Sequence, residues 1–119
     1  MSGVIPYLIR AYCNWIEDNK FTPYLLVDTK RLGVVIPEGF DANGKMVLNI
    51  SSSATDGRVI SNETISFKTR FQGKPQNIVV PCEAVLSIYA KENGEGMMFG
   101  NKKTSTEIDN DKPSLTILD

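Results

Sequence analysis

The chain has 119 residues, of which 41% are hydrophobic, and its 13 basic and 14 acidic side chains give a formal net charge of −1. This length and apolar fraction are typical of one domain with one core, which excludes a wholly disordered chain and a large multi-domain enzyme. The near-neutral charge lacks the basic balance of nucleic-acid-binding domains, and no apolar run approaches the ~20 residues that span a bilayer.

The chain contains no histidine, and its two cysteines, Cys13 and Cys82, lie far apart without CxxC spacing. Ser-His-Asp and Cys-His catalytic arrangements are therefore excluded, and a zinc site lacks its ligands. We expect two reduced, buried thiols, no metal, no cofactor and no enzymatic activity. A small hydrolase is a further hypothesis, but the sequence offers no candidate pair of nucleophile and base.

Residues 1–6 have neither the basic region nor the hydrophobic core of a secretory signal, so we expect a cytoplasmic protein. The first predicted element is a helix over about residues 6–19, where Pro6 suits the first turn. Its apolar side chains cover about two-thirds of the circumference, although one core contact needs a stripe of only about 100°. The helix is therefore either wedged deeply into its own domain or packed against a second subunit. In so small a domain the sequence favours the second arrangement, a two-fold dimer.

After the helix, the hydrophobic period becomes that of strands. Strands are predicted at residues 21–27, 33–36, 45–51, 64–71, 76–80, 85–90 and 97–99, with a brief strand at 59–60 and one helical turn at 81–84. Glycine-containing turns are predicted at 43–44, 72–75 and 92–94. One helix followed by short, hairpin-linked strands predicts a mainly β fold with an antiparallel, barrel-like domain over about residues 21–100.

Residues 101–112 form a polar stretch with one aliphatic side chain and no aromatic one. Such a segment buries too little apolar surface to offset the entropy of ordering, so it is predicted to be a flexible linker after a domain of residues 1–100. Residues 113–119 become apolar again. We interpret them as a docking peptide, the alternative being a last strand that folds back.

The segment 64–80 carries the most informative side chains. Three basic residues lie there without an acidic residue among them, and apolar side chains are expected nearby: Lys68, Arg70 and Lys74, with Phe67, Phe71, Met97 and Met98. A shallow groove with apolar pockets and a basic rim would suit an extended, mildly acidic peptide. The alternative is that the phenylalanines and methionines simply form the core.

A series of motifs runs almost without gaps from Pro6 to Phe99. The motifs are Pro6-Tyr-Leu-Ile-Arg-Ala-Tyr12, Trp15, Asp18-Asn19, Thr22-Pro23, Val27-Asp28, Gly44-Lys-Met-Val-Leu-Asn-Ile50, Phe67-Lys-Thr-Arg-Phe71, Gly73, Val80-Pro81, Ala84-Val85, Ile88-Tyr-Ala90, Glu92-Asn-Gly94 and Met98-Phe99. In this order they resemble the stringent starvation protein B (SspB) family, whose strand G-Q-I-V-L-N-I matches residues 44–50.

The resemblance implies an adaptor for the ATP-dependent protease ClpXP. Proteins of this family dimerise, hold the ssrA degradation tag and tether the tagged substrate to the unfoldase ClpX. The implied fold is an open, SH3- or Sm-like β barrel with an N-terminal dimerisation helix. The expected partners are ssrA-tagged proteins, ClpX and a second copy of the chain, and association with the ribosome is a further expectation.

Residue roles follow from the resemblance by motif. The implied tag-binding residues are the groove positions Asn49 and Thr69, the pocket walls Phe67, Phe71 and Met98, and the basic pair Lys68 and Arg70. Thr69 stands where related sequences often have alanine. The implied dimer interface comprises Tyr7, Leu8, Ala11 and Trp15.

The family also ends in a short ClpX-binding peptide of the form basic-Pro-x-Leu-basic-Val-Val-Lys. The positions of this chain that fit it are Lys112, Pro113, Leu115, Ile117 and Leu118. Thr116 and Asp119 depart from it, since they replace positive charges. The linker is also shorter than the linkers of relatives: about a dozen residues span ~20 Å on average.

An Sm-like RNA-binding module is the alternative hypothesis from another class. A barrel with Lys68, Arg70 and Lys74 would permit it. The neutral domain and the lack of a basic surface studded with aromatic side chains argue against it.

Overall fold

The computed structural model describes residues 3–99, and the predicted linker at 101–112 and docking peptide at 113–119 lie outside this range. Helix α1 spans Ile5–Asp18, close to the predicted bounds, with a proline in its first turn. The helix ends in a Schellman motif, in which the Phe21 amide donates to the Ile16 carbonyl and the Lys20 amide to the Glu17 carbonyl. Lys20 accordingly takes a left-handed conformation, with φ of 67°, which turns the chain into the first strand.

Seven strands and one short 3-10 turn follow within the described residues. The strands are β1 (Pro23–Asp28), β2 (Lys45–Asn49), β3 (Asp56–Ile60), β4 (Thr64–Phe71), β5 (Lys74–Pro81), β6 (Val85–Ala90) and β7 (Gly96–Met98), and the 3-10 turn is Cys82–Ala84. The predictions for β4, β6 and the helical turn are confirmed. β3 is longer than the brief strand predicted at 59–60.

Two details of the predicted strand pattern are wrong. The predicted strand at 33–36 is only an isolated bridge, in which Val35 and Val79 exchange one pair of backbone hydrogen bonds. Pro37 follows directly and has no amide proton to extend the pairing. The turn is shorter than the predicted 72–75. Only Gln72 and Gly73 take the positive φ angles, 53° and 79°, of a two-residue hairpin turn. β5 therefore begins at Lys74.

The strands form two antiparallel sheets around one core. The four-stranded sheet has the order β2-β1-β6-β7, and the three-stranded sheet has the order β3-β4-β5. Alternate residues of β1 and β2 point inward, and Leu25 of β1 lies between Leu48 of β2 and Ile88 of β6. The structure confirms the mainly β fold with an N-terminal helix and antiparallel strands, in an open arrangement.

Helix α1 covers the core with one face. Ile9, Cys13 and Ile16, spaced three and four residues apart, are each no more than 1% exposed. In β4 and β5 the paired residues Phe67 and Ile78 are buried against the same core. Residues 3–99 contain no helix that is both long and apolar enough to cross a membrane.

Candidate peptide-binding site

A cavity of about 670 Å³ opens between the end of β2, the connection 50–55 and the outer half of β4. Five of the seven predicted tag-binding residues line it: Asn49, Lys68, Thr69, Arg70 and Phe71. Asn49 is the last residue of β2, and the other four are consecutive on β4. Two chain segments that are about twenty residues apart in sequence therefore converge on one surface.

The other two predicted residues lie elsewhere. Phe67 faces inward two residues before Thr69 and is 4% exposed, so its ring belongs to the core. Met98 lies on β7, at the edge of the four-stranded sheet opposite β2, and is 78% exposed. Neither lines this cavity. Phe67 and Phe71 lie on the same face of β4, so the alternating pattern could not show which of them the core covers fully. The pattern could not place Met98 either, because the distance of β7 from β2 depends on the order of strands in the sheet.

The polar groups of the cavity differ in whether they already have a hydrogen-bond partner within the protein. The Thr69 hydroxyl donates to the Ala54 carbonyl at 2.9 Å, which joins β4 to the connection 50–55. The Asn49 carbonyl oxygen Oδ1 accepts from the Ser51 amide at 3.0 Å. Its amide group Nδ2 donates to no atom of residues 3–99, which leaves it free to donate to a main-chain carbonyl of a ligand.

Charge in the cavity favours a mildly acidic ligand. Lys68 and Arg70 supply two cations, and Asp56, which lies opposite Lys68 across the β3–β4 pairing, supplies one anion. Arg70 also donates to the Gly73 carbonyl at 3.2 Å, which restrains the guanidinium beside the hairpin turn. An excess of positive charge attracts acidic groups without making the site selective for long polyanions.

Several lining residues were not predicted from the sequence. The connection contributes Ser53, Ala54 and Thr55 as one wall, and Tyr24 contributes from β1. In the sequence this connection is a polar loop without a motif, although polar loops carried on rigid strands often bind ligands. Phe40, from the long loop before β2, packs on Phe71 with ring centroids 4.9 Å apart. It extends the apolar surface next to the cavity.

Two charged side chains, Glu17 and Arg58, hold the connection 50–55 on the side away from the cavity. Glu17 of α1 accepts from the Ser52 amide at 2.6 Å. Arg58 of β3 donates to the Ile50 carbonyl at 2.6 Å and to Glu17 at 3.3 Å. Partial burial alone would raise the pKa of Glu17, but the Ser52 hydrogen bonds and the Arg58 charge together hold that pKa below its usual value.

Three of the four predicted interface residues, Tyr7, Ala11 and Trp15, lie on the side of α1 that faces away from the core, whereas the fourth, Leu8, packs against the core. Tyr7 and Trp15 are 52% and 47% exposed, whereas Leu8 is half-buried. The domain therefore covers one face of the helix only, and the alternative of a deeply wedged helix is wrong.

Both cysteines are buried and unpaired, as predicted. Burial raises the pKa of the Cys13 thiol to about 11, and it also raises the pKa of Cys82, so neither is an activated nucleophile. Among residues 3–99 there is no group of three or more cysteine, aspartate or glutamate side chains that could hold a metal ion.

Two comparisons with known proteins bear on the family of this chain. The family model described as stringent starvation protein B matches residues 3–116. A stringent starvation protein B homolog from Haemophilus influenzae is 46% identical over 103 residues, which cover 87% of this chain and 69% of the relative.

Proposed function

Since the chain belongs to the stringent starvation protein B family, we propose that it is a non-catalytic, cytoplasmic adaptor that binds ssrA-type degradation tags and delivers tagged proteins to ClpXP. The observation that carries this proposal is the convergence of Asn49, Lys68, Thr69, Arg70 and Phe71 on one cavity. These are residues that the motif resemblance assigns to tag binding.

The chemistry of the cavity supports an extended peptide as the ligand. Within residues 3–99, β2 is an outer strand of its sheet, and its outer edge can pair with a peptide main chain. The free Asn49 amide adds a donor, Phe71 adds an apolar surface, and the two cations attract an acidic side chain. Main-chain pairing supplies affinity, and the side-chain contacts supply selectivity.

Delivery requires a second attachment, which we assign to the C-terminal residues. In this proposal the peptide around Lys112, Pro113, Leu115, Ile117 and Leu118 binds ClpX while the domain holds the tag. Tethering raises the effective concentration of the substrate at the unfoldase, and a dimer offers two such tails. The family match reaches residue 116, so it covers Lys112, Pro113 and Leu115 of this segment and ends before Ile117 and Leu118.

Fluorescence anisotropy with a labelled ssrA-type peptide tests the tag site. Thr69→Gln places a larger side chain in the cavity, and we expect it to weaken peptide binding about tenfold or more, as overpacking does. Val59→Gln is the matched control, because Val59 lies on the same sheet, is 56% exposed and does not line the cavity. Thr69→Val removes the bond to Ala54 at nearly constant volume and thus separates crowding from hydrogen bonding.

Two outcomes would contradict this assignment. If the full chain does not bind the peptide, tag recognition is not its function. If Thr69→Gln and Val59→Gln bind equally well, the cavity is not the tag site. Stronger, salt-dependent binding of single-stranded RNA than of the peptide would favour the RNA-binding alternative.

A further inference from the structure

The connection 50–55, which follows β2, is anchored at its start, where Ile50 is buried and its amide donates to the Pro23 carbonyl, whereas Ser52 and Ser53 are exposed. Its internal hydrogen bonds are local: the Ala54 amide and the Thr55 hydroxyl both donate to the Ser51 carbonyl. Such bonds shape the turn but do not position it relative to β4. A connection of this kind has conformational freedom unless distant groups restrain it.

Glu17 and Arg58 provide that restraint on the side away from the cavity. One carboxylate oxygen of Glu17 accepts from the Ser52 amide at 2.6 Å, and the other accepts from Arg58 at 3.3 Å. Arg58 also donates to the Ile50 carbonyl at 2.6 Å. The two side chains are 22% and 20% exposed, so solvent screens the pair less than it screens a surface ion pair.

On the cavity side, the same connection is held by Thr69, whose hydroxyl donates to the Ala54 carbonyl. We call Glu17 and Arg58, with their bonds to Ile50 and Ser52, the Glu17–Arg58 clamp. The connection 50–55, which we call the wall from here on, therefore lies between this clamp and Thr69 of the proposed tag site. A ligand that packs against Ala54 binds more tightly when the wall is already ordered, because binding then causes no further loss of conformational entropy in the wall.

We propose that Glu17 and Arg58 are positioning residues for the peptide cavity, which fix the wall 50–55 and thereby set the affinity for an extended peptide. This inference rests on the proposed function. It assigns a positioning role to a helix residue and a β3 residue that do not themselves line the cavity.

The first test is peptide affinity in full-length variants, measured well below their unfolding temperatures. Glu17→Ala removes the acceptor of the Ser52 amide and the ion pair with Arg58, and we expect it to weaken binding of the labelled ssrA-type peptide about tenfold. Glu17→Gln keeps an oxygen acceptor for the Ser52 amide, so it should recover part of this loss. Glu17→Ala combined with Arg58→Ala should be little weaker than either single variant, because the two act as one unit.

The matched control is Glu92→Ala. Glu92 also joins distant parts of the chain, since its carboxylate accepts from the Thr22 amide and hydroxyl at 2.8 Å each, but it lies outside the cavity. A merely structural role predicts that Glu17→Ala and Glu92→Ala weaken binding in proportion to their loss of thermal stability. The positioning role predicts that only Glu17→Ala changes affinity, and equal effects would overturn it.

The second test does not depend on the peptide. Amide hydrogen exchange followed by NMR should show about tenfold faster exchange at Ser52 and Ala54 in Glu17→Ala, with no change there in Glu92→Ala. Unchanged exchange at these amides would overturn the clamp even if peptide binding is normal. Failure of the wild-type chain to bind the peptide would overturn the proposed function instead, and the exchange measurement would still decide whether the clamp holds the wall.

Discussion

Two carboxylates show how the environment of a single residue decides its effect. Glu92 lies in a hairpin turn, where acidic residues are usually just solvated, yet it accepts two hydrogen bonds from Thr22. These bonds lower the pKa of Glu92. The pKa of Glu17 is also lowered, because the Ser52 hydrogen bonds and the Arg58 charge outweigh its partial burial. In both cases the folded state favours the ionised form.

The lowered pKa values predict a loss of stability in acid. A carboxylate with a depressed pKa in the folded state stabilises that state above its unfolded pKa, about 4.3 for glutamate, and this stabilisation is lost as the pH falls through the folded value. We expect the unfolding temperature to fall as the pH drops below about 5 and through the lowered pKa values of the folded state. The fall should be shallower in Glu17→Gln than in the wild type.

Thermal unfolding by circular dichroism across this pH range measures the effect. Glu38→Gln is the control, since Glu38 is exposed and makes no side-chain hydrogen bond or ion pair within residues 3–99. It should leave the slope of unfolding temperature against pH unchanged. Identical slopes for Glu17→Gln and Glu38→Gln would show that the Glu17 carboxylate does not contribute to acid sensitivity.

At the scale of the element, helix α1 carries two apolar surfaces. Ile9, Cys13 and Ile16 pack on the core, and Tyr7 and Trp15 are left half-exposed on the other side. Arg10 lies over the Tyr7 ring at 4.6 Å and donates to the Ile60 carbonyl, which restrains the helix against the end of β3. A rigid helix with an uncovered aromatic surface is suited to a self-complementary contact.

Trp15→Asp should weaken the proposed homodimer. It places an unpaired charge in an apolar contact, so we expect the dimer dissociation constant to rise about a hundredfold. Tyr7→Asp should act in the same direction. Leu32→Asp is the matched control, because Leu32 is 97% exposed and lies in the loop after β1 rather than on the helix. Analytical ultracentrifugation measures the change, and an undiminished dimer in both helix variants would exclude α1 from the interface.

At the scale of the whole molecule, the two proposed attachments are separable. The predicted tag-binding residues that line the cavity belong to β2 and β4. The proposed docking peptide comprises residues 113–119. Binding a tag and delivering a substrate should therefore fail independently of each other.

Deletion of residues 113–119 should leave peptide affinity and dimerisation unchanged but abolish stimulation of ClpXP. Tethering raises apparent affinity by about 10²–10⁴ when linker and span are matched, so the loss should appear chiefly as a raised KM in steady-state degradation of a tagged reporter. Thr116→Lys combined with Asp119→Lys, which restores the charges of relatives, should lower KM. Full stimulation by the truncated chain would show that these residues are not the tether.

The sequence by itself determined the elements whose pattern is local. The helix at Ile5–Asp18 and the strands Thr64–Phe71 and Val85–Ala90 were predictable, because a run of alternating or three-to-four-residue spacing reports the buried face directly. The prediction of a strand at 33–36 was wrong because strand formation also depends on a distant partner. Its pattern is strand-like, but pairing needs a partner along its whole length, and only Val35 finds one.

Only the tertiary structure decided which residues form the wall of the cavity opposite Asn49 and Thr69. The motif resemblance indicated Asn49 and Thr69, but the wall opposite them was an ordinary polar loop in the sequence. The bond from Thr69 to Ala54 joins residues 15 apart, and the bond from Ser52 to Glu17 joins residues 35 apart. Hydropathy periodicity is a property of neighbouring residues, whereas the position of a loop depends on which distant donors and acceptors the packed core brings within reach.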